Sequence, residues 1–563
     1  MLTPDQLAHC ADDILKLYSQ LEEEIVRDVA RRISKTGIIT ETGKLQLNAM
    51  QQLRTLNSDV LKSLSKYTDK TEEQLQKLFE DAAVTATEYD NEIYRANGLN
   101  PKSIKVSASQ MQTLEAGYKK TSGNISNLTR TTAVTSQTSF INACSLVEMK
   151  AESGAFSPQQ AIVDAIKQVA SEGAFVLYPS GHRDRLDVAV RRNVMTGIGQ
   201  TTGEICLANA REIGCDLMEI TAHAGARPSH ASWQGQIVSL SGRNGYLTLS
   251  DIGYGSGDGF KGWNCRHDWY PYFEGSTRMY SDKDLTELDA ENIEFPDGSM
   301  HTLYESEQYQ RALERKIRET KRILAAQDEC IKNTSSESLK KAMQNDFEKH
   351  SVKLKQQESQ LKYFCQKTGL SVDNARVQKY GFGKSTAQKA VGSANKQYKT
   401  WSGEHNISNI KTLADYYNVK YNDTDRYELL KGYVKAVDKG DISSLVGFDF
   451  YEQKAKEITE RLCGLVINNE YEIKGFVPHF IDRVIGQTST NHPKMRLGTK
   501  IDFIEDCIHN PVNISQPHYR KTIRNNKEFM DERIIFTGQY CSFVYSKADK
   551  ILIQATAFTE GVI

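Results

Sequence analysis

Residues 223–275 read HAGARPSHASWQGQIVSLSGRNGYLTLSDIGYGSGDGFKGWNCRHDWYPYFEG, and this stretch organises the rest of the chain. It concentrates glycine, tryptophan and histidine between two long regions of helical pattern. Glycine-rich backbone turns sharply or approaches other groups closely, so we predict a knot of loops and short strands here. The preceding segment CDLMEIT, residues 215–221, has the apolar alternation of a strand that leads into the knot.

Four side chains of this stretch have the chemistry of zinc ligands. Six residues separate His223 from His230, and one residue separates Cys265 from His267. Structural zinc takes four nitrogen or sulfur ligands in a tetrahedron, often from two pairs that the fold brings together. Neither spacing is that of a standard zinc finger, and no acid stands beside the histidines as in catalytic HExxH sites. The pattern predicts a structural zinc site, with four separately hydrogen-bonded residues as the alternative.

Composition and charge narrow the classes of protein. A length of 563 residues suggests about three or four domains, and a net charge of −1 gives no global attraction to nucleic acid or membrane. The ten cysteines are scattered without a CxxC pair, which favours a reducing compartment. The N-terminus lacks the apolar segment of a signal peptide, and no apolar run has the length of a membrane span. We therefore expect a protein made in a cytoplasm and without a membrane partner.

The regions on either side of the knot have helical periodicity. Apolar residues recur every three or four positions from Ile14 through Leu17, Leu21 and Ile25 to Val29. Thr71 and Gln74 resemble a capping box that opens a further helix. Residues 291–370 combine many charges with a narrow apolar seam and one short break, a pattern typical of an antiparallel helical hairpin.

The composition changes after residue 370. Residues 371–424 are rich in glycine, serine, lysine and glutamine and are predicted to be a linker, followed by a helical connector over 425–455. Residues 456–563 show short helical patterns and then alternating segments, which predicts a small α+β domain. The predicted fold class is multidomain and mainly α, with a Gly-rich loop and short-strand knot, a long helical hairpin, a linker and a C-terminal α+β domain.

The segments ARPSHASWQG and GYGSGDGFKGWNCRHDWYPYFEG resemble the phage minor capsid protein 2 family, which is akin to the Mu F-like head morphogenesis proteins. The later YESEQYQRALERKIRETKR resembles the helix that follows these motifs in that family. The resemblance implies a minor capsid domain over 1–290 in a virion head protein of a phage or prophage, with other head and portal proteins as partners. Related head proteins carry a Cys/His cluster ending in C-R-C/H. Cys265-Arg266-His267 matches that end, so the resemblance supports structural zinc.

The tail from about residue 456 resembles the phage-encoded barnase–EndoU–colicin–RelE-like (BECR) nucleases. The matching positions are Pro478-His479, Arg483, the helix end IEDCIHNP and the final Ala555-Thr556-Ala557-Phe558. The resemblance implies a polymorphic-toxin ribonuclease that needs no cofactor, with RNA as substrate and a cognate immunity protein as partner. The virion would deliver this effector to the cytoplasm of a target bacterium.

Three residues of the tail suit metal-independent RNA cleavage. That reaction needs a base for the 2′-hydroxyl and donors for the charge that develops on phosphorus. His479 and Arg483 are four residues apart, so a helix would place the imidazole beside a guanidinium that can hold phosphate. Thr556, on a predicted final strand, can donate a hydroxyl hydrogen bond. We predict these three as catalytic residues, with His492, His509 and His518 as rival bases.

The segment HYRKTIRNNK, residues 518–527, is locally basic. Arg520, Lys521, Arg524 and Lys527 are predicted to hold the RNA backbone without reading its sequence, with a solvated loop as the alternative.

Two other functions remain open for the tail. In one, the whole chain is structural and the tail binds portal or scaffold without catalysis. In the other, the tail is an ADP-ribosyltransferase, which requires a catalytic glutamate in an ExE-like string late in a sheet. Glu470-Tyr471-Glu472 is such a string, but it precedes the predicted sheet.

Overall fold

The computed structural model describes residues 1–36, 42–153, 155–379, 382–486, 496–524 and 527–558. The chain divides into two compact units, residues 1–391 and residues 392–563. The first unit is helical apart from small sheets, and the second combines helices with a six-stranded sheet. The predicted multidomain, mainly α fold class is confirmed. Within the described ranges, no helix is long and apolar enough to cross a membrane.

The helices that begin in the first unit are α1 (Pro4–His9), α2 (Asp12–Thr36), α3 (Thr42–Ala96), α4 (Ala108–Glu152), α5 (Pro158–Glu172), α6 (Leu186–Ile213), α7 (Pro228–Ala231), α8 (Asp282–Leu288), α9 (Leu303–Asn333), α10 (Glu337–Thr368), α11 (Asn374–Val377) and α12 (Lys384–Glu404). The strands of this unit are β1 (Phe175–Leu177), β2 (Arg183–Arg185), β3 (Leu217–Ile220), β4 (Ile237–Ser239), β5 (Leu247–Thr248), β6 (Trp269–Pro271), β7 (Ile293–Glu294) and β8 (Met300–His301).

Helix α2 buries the apolar stripe that its periodicity predicts. Ile14, Leu21, Ile25 and Val29 all lie in the main hydrophobic core. The helix packs against α3, α5, α6 and α9. An amphipathic helix gains most of its stability from such packing rather than from intrinsic propensity.

Helix α3 corrects one prediction. It runs without interruption over 55 residues, so no new helix opens at Thr71. The Thr71 hydroxyl donates to the Tyr67 carbonyl at 2.7 Å, one turn back in the same helix, instead of accepting a capping hydrogen bond. Threonine makes both kinds of bond, and its sequence neighbours do not distinguish them.

The predicted charged hairpin is formed by α9 and α10. Its seam joins Leu313, Ile317 and Leu324 to Phe347, Leu354 and Leu361, all of them buried. The Thr302 side chain caps α9 in a capping box with Glu305.

The segment 371–424, predicted as a linker, carries α11, α12 and a further helix, and the division between the two units falls inside it. Its alanines, lysines and glutamines are good helix formers, which offset its glycines.

The knot is built on a four-stranded sheet in the order β5-β4-β3-β6. Strand β3 is the predicted strand, and it pairs antiparallel with β4 and with β6. Two glycines make the close approaches expected of this stretch. A Cβ atom on Gly259 would lie 2.1 Å from the Gly253 carbonyl oxygen, and one on Gly262 would lie 2.3 Å from that of Ser256. Both positions therefore require glycine.

A buried ion pair lies within the knot. The Lys261 ammonium donates to the Asp268 carboxylate at 2.5 Å, and both side chains are almost wholly buried. Asp268 also accepts from the backbone N–H of Leu2 at 2.7 Å and of Trp269 at 2.9 Å. The pair links the knot to the N-terminal residues.

Replacing Lys261 with methionine should lower the free energy of unfolding by about 3–5 kcal/mol, because the Asp268 carboxylate stays buried without its countercharge. Guanidinium unfolding followed by tryptophan fluorescence measures the change. Arg243→Ala is the control, since its pair with Glu274 is exposed and should leave the unfolding midpoint unchanged. Equal effects of the two substitutions would contradict the expectation.

The further helices of the second unit are α13 (Leu413–Asn422), α14 (Thr424–Asp438), α15 (Phe448–Leu462), α16 (Pro478–Ile485) and α17 (Ile501–His509). Its strands are β9 (Val466–Ile467), β10 (Tyr471–Glu472), β11 (Gly475–Phe476), β12 (Asn513–Ile514), β13 (His518–Arg524), β14 (Lys527–Thr537), β15 (Cys541–Ser546) and β16 (Ile551–Ala557).

The main sheet of the second unit has the order β11-β16-β15-β14-β12, and β13 also pairs with β14. All of these pairs are antiparallel except β11 with β16. Helix α16 packs against β16, and α17 packs against β15. The small helices and antiparallel strands of the predicted α+β region are therefore present, and they place the end of β16 beside α16.

Candidate functional site

Three of the four predicted zinc ligands meet in the knot of the first unit. One ligand atom from each of His230, Cys265 and His267 lies within 4.8 Å of the others, and all three side chains are buried. The Nδ1 atoms of His230 and His267 are 3.3 Å apart, and the Cys265 Sγ is 3.7 Å from the His267 Nδ1. Helix α7 supplies His230, and the segment entering β6 supplies the other two.

The Nε2 atoms of His230 and His267 each have a hydrogen-bond acceptor. The His230 Nε2 donates to the Asp258 carbonyl at 3.0 Å, and the His267 Nε2 donates to the Gln234 side-chain oxygen at 3.3 Å. Each neutral ring carries one proton, so both Nδ1 atoms face each other as bare lone pairs. Such an arrangement is repulsive unless a cation lies between them.

The distances from the His267 Nδ1 to the His230 Nδ1 and to the Cys265 Sγ fit zinc. A tetrahedral ion with Zn–N bonds of about 2.0–2.1 Å and Zn–S bonds of about 2.3 Å separates two nitrogens by roughly 3.3 Å and nitrogen from sulfur by roughly 3.6 Å. Outer hydrogen bonds of the kind made by His230 and His267 orient metal-bound imidazoles. The residues present therefore fit a zinc ion.

Burial sets the protonation of the cluster. It lowers the pKa of His230 to about 4 and that of His267 well below its usual range, so both rings are neutral and able to coordinate. Burial also raises the pKa of the Cys265 thiol. A bound cation would reverse that effect, because a coordinating thiol is deprotonated.

His223, the fourth predicted ligand, lies beside the cluster rather than in it. Its ring stacks on His267 with centroids 4.5 Å apart, and its Nδ1 donates to the Ala224 carbonyl at 2.8 Å. The Nε2 atom therefore carries the lone pair. Trp233 packs against both histidines, with its ring 4.4 Å from that of His230 and 4.9 Å from that of His267.

The second unit contains a cavity of about 260 Å³ that brings the three predicted catalytic residues together. The lining residues are Asp441, His479, Asp482, Arg483, Gly486, Arg496, Leu497, Ala555, Thr556 and Ala557. Helix α16 contributes His479 and Arg483, and the end of β16 contributes Thr556. The two elements are adjacent because α16 packs against β16.

His479 has a partner at each ring nitrogen. Its Nδ1 lies 3.4 Å from the Asp482 carboxylate, and its Nε2 accepts from the Arg483 Nε at 3.2 Å. Tyr451 donates to the other carboxylate oxygen of Asp482 at 2.8 Å, which holds that side chain in place. The carboxylate thus orients the imidazole with the Nε2 lone pair towards the guanidinium. Sequence reasoning missed Asp482, although its spacing of three residues from His479 signals a shared helix face.

The cavity lining places two cations, Arg483 and Arg496, beside the carboxylates of Asp441 and Asp482. Burial, and then the positive charge of Arg496, lower the pKa of the Arg483 guanidinium. Two cations that destabilise each other can be stabilised by a phosphate placed between them. Gln554 donates to the Thr556 hydroxyl oxygen at 3.4 Å, so the hydroxyl proton is left to donate to a ligand. Arg496 was not predicted, since it lies outside the helix that carries His479 and Arg483.

The remaining predicted residues of the tail lie elsewhere. Arg520 and Lys521 are exposed on β13, where consecutive side chains point to opposite faces of the strand. The side chains of Arg524 and Lys527 lie outside the described residues, although their backbones pair across β13 and β14. Among the rival bases, His509 ends α17 and His518 begins β13, and neither lines the cavity. His492 lies outside the described residues.

The ExE-like string has a different setting. Tyr471 and Glu472 form the short strand β10, which pairs only with β9 in the described sheets. Glu472 accepts from Lys550 at 3.4 Å, and the lining of the His479 cavity does not include it or Glu470.

Comparison with known proteins bears on the first unit. The family model of phage minor capsid protein 2 matches residues 2–366. A relative described as a structural protein of Lactococcus phage LL-H is 24% identical over 249 residues, which cover 41% of this chain and 66% of the relative. No solved structure matches significantly. The family match contains the His230–Cys265–His267 cluster and ends before the second unit begins.

Proposed function

This chain belongs to the phage minor capsid protein 2 family, and from that premise we propose that its second unit is a metal-independent ribonuclease carried by the phage head. The observation that carries the proposal is the single cavity that His479, Arg483 and Thr556 line together. The minor capsid region holds the protein in the virion among other head and portal proteins. The effector acts after entry into a bacterial cytoplasm.

The cavity residues account for each step of RNA cleavage. A phosphate draws the Arg483 guanidinium away from the His479 Nε2, which frees that nitrogen to remove the 2′-hydroxyl proton. The 2′ oxygen bonds to phosphorus, and Arg483 and Thr556 donate to the phosphoryl oxygens as charge develops. The bond to the 5′ oxygen then breaks, and the imidazolium, stabilised by Asp482, returns its proton to that oxygen. The products are a 2′,3′-cyclic phosphate and a 5′-hydroxyl.

Purified full-length protein should cleave single-stranded RNA equally well with and without EDTA, because every group in the proposed reaction is a side chain. Sequencing of the RNA ends should find 2′,3′-cyclic phosphates. A protein that leaves RNA intact, and that bacteria tolerate when they express it, would favour a structural tail that binds portal or scaffold. Cleavage that stops in EDTA would contradict a metal-independent reaction.

A ribonuclease in the tail has a consequence for the partners of this chain. An enzyme that cleaves RNA in the cytoplasm where it is made would harm its own host. We therefore expect a cognate immunity protein that covers the cavity during assembly.

An ADP-ribosyltransferase tail is disfavoured, since neither glutamate of the ExE-like string lines the cavity with His479.

We also propose that His230, Cys265 and His267 hold a structural zinc ion in the capsid region. The facing lone pairs and the ligand spacing support this assignment. The ion would join α7 to the segment that enters β6. His223 is the candidate for the fourth ligand because its free Nε2 lies on the ring that stacks against His267.

A further inference from the structure

A second cavity of the second unit, called the aromatic cavity below, has no role in the proposed chemistry. It has a volume of about 390 Å³, within the range of roughly 300–1,000 Å³ that ligand cavities occupy. Helices α12, α13 and α14 form it. The lining residues are Trp401, Tyr416, Tyr427, Leu430, Lys431, Val434, Lys435, Asp438 and Lys439.

Aromatic rings form one side of this cavity. Trp401 and Tyr416 meet edge to face with centroids 5.5 Å apart, and Tyr416 meets Tyr427 in the same way at 6.2 Å. All three side chains are partly exposed. Rings that are fixed by each other and still open to solvent are suitable platforms for stacking a planar ligand.

Lysines form the other side. Lys431, Lys435 and Lys439 follow each other at intervals of four, so they lie on one face of α14 and its end. Lys431 pairs with Glu428 at 2.6 Å, whereas no ion pair engages Lys435 or Lys439 in the described part of the chain. The acidic lining residue Asp438 is bonded to His405 at 3.0 Å. The cavity therefore offers stacking surfaces beside two available cations.

Helix α14 connects this cavity to the one that contains His479. A Cβ atom on Gly432 would lie 2.3 Å from the Pro478 Cβ, so α14 packs directly on the first turn of α16. Lys439 lines the aromatic cavity, and Asp441, two residues later, lines the His479 cavity. The two cavities therefore have lining residues within two positions of each other at the end of α14.

We propose that the aromatic cavity receives an unpaired base of single-stranded RNA while Lys435 and Lys439 hold the neighbouring phosphates. The proposal rests on the ribonuclease function. It identifies the substrate of that function as unpaired RNA, and it says where the part of the RNA that is not cleaved binds. Stacked bases and phosphate-binding lysines are the usual elements of single-strand recognition, and they tolerate different sequences.

The test measures binding without cleavage. Full-length protein carrying His479→Ala is titrated against a fluorescein-labelled 12-nucleotide single-stranded RNA, with anisotropy read at several salt concentrations. Trp401→Ala should weaken binding about 5- to 150-fold, the effect of losing one base stack. Lys435→Gln with Lys439→Gln should reduce the slope of log affinity against log salt by about 1.4, for two lost phosphate contacts on a single strand.

A matched control removes two lysines from other surfaces of the same unit. Lys456 and Lys474 are exposed and lie outside the cavity lining, so their double change to glutamine should leave affinity and salt slope unaltered. Trp401→Phe, which keeps a ring, should retain most of the affinity and shows whether the alanine variant fails only through misfolding.

Equal affinities for the cavity variants and the control would overturn the proposal. Equally strong binding of single-stranded DNA of the same sequence would overturn the choice of RNA. The result is separable from the ribonuclease proposal. If the unsubstituted chain binds RNA through Trp401 and the two lysines but does not cleave it, the ribonuclease fails and the binding cavity stands.

Discussion

Replacing His479 with alanine should lower RNA cleavage by the full-length protein about 10²- to 10⁴-fold, the range that general acid–base catalysis contributes. The imidazole is held by Asp482 at Nδ1 and by Arg483 at Nε2, and both neighbours line the same cavity. Alanine removes the proton acceptor and leaves these neighbours in place, so RNA binding should persist while turnover falls. Initial rates on a labelled RNA in EDTA measure the effect.

His509→Ala provides the matched control for this prediction. His509 ends α17, outside the lining of the His479 cavity, and its replacement should leave the rate within about twofold, since it removes no group that the reaction uses. Circular dichroism confirms that both variants fold. Undiminished cleavage by His479→Ala, or a comparable loss in His509→Ala, would move the base to another histidine.

Replacing Cys265 with alanine should abolish the binding of one zinc ion per chain and lower the free energy of unfolding by several kcal/mol. Structural zinc contributes up to roughly 10–16 kcal/mol in small zinc-dependent folds, and this site lies in a knot of short strands and loops. Loss of the thiolate leaves at most three imidazoles, those of His230, His267 and His223, whereas a structural site takes four protein ligands. Elemental mass spectrometry of the purified protein gives the zinc content, and thermal unfolding gives the change in stability.

Cys330→Ala is the control for the thiol. Cys330 is also fully buried in the first unit, on α9, so the substitution removes a similar volume without touching the cluster. Zinc content should be unchanged. His223→Ala then identifies the fourth ligand, because zinc is lost if the His223 Nε2 coordinates and is retained if a water molecule completes the shell. Wild-type protein without zinc, or equal zinc content in the two cysteine variants, would refute the site.

Local patterns predicted much of the secondary structure because they follow from backbone geometry. The apolar residues from Ile14 to Val29 repeat with the helical period. They therefore lie on one face of the helix, and that face is buried in the core. The same reasoning failed at Thr71, whose hydroxyl bonds within a continuous helix. A hydroxyl can cap a helix or bond back into it, and the neighbouring sequence does not distinguish the two.

The sequence by itself determined which chemistry each region offers and which neighbours share a helix face. His479 and Arg483 meet because a spacing of four residues is one helical turn, wherever the helix lies. Only the tertiary structure decided what surrounds that turn. Packing of α16 on β16 brings Thr556 to the same cavity, and burial of the knot selects His230, Cys265 and His267 while placing His223 beside them. Contacts between distant residues depend on how side chains fill a shared core, and periodicity along the chain carries no information about that.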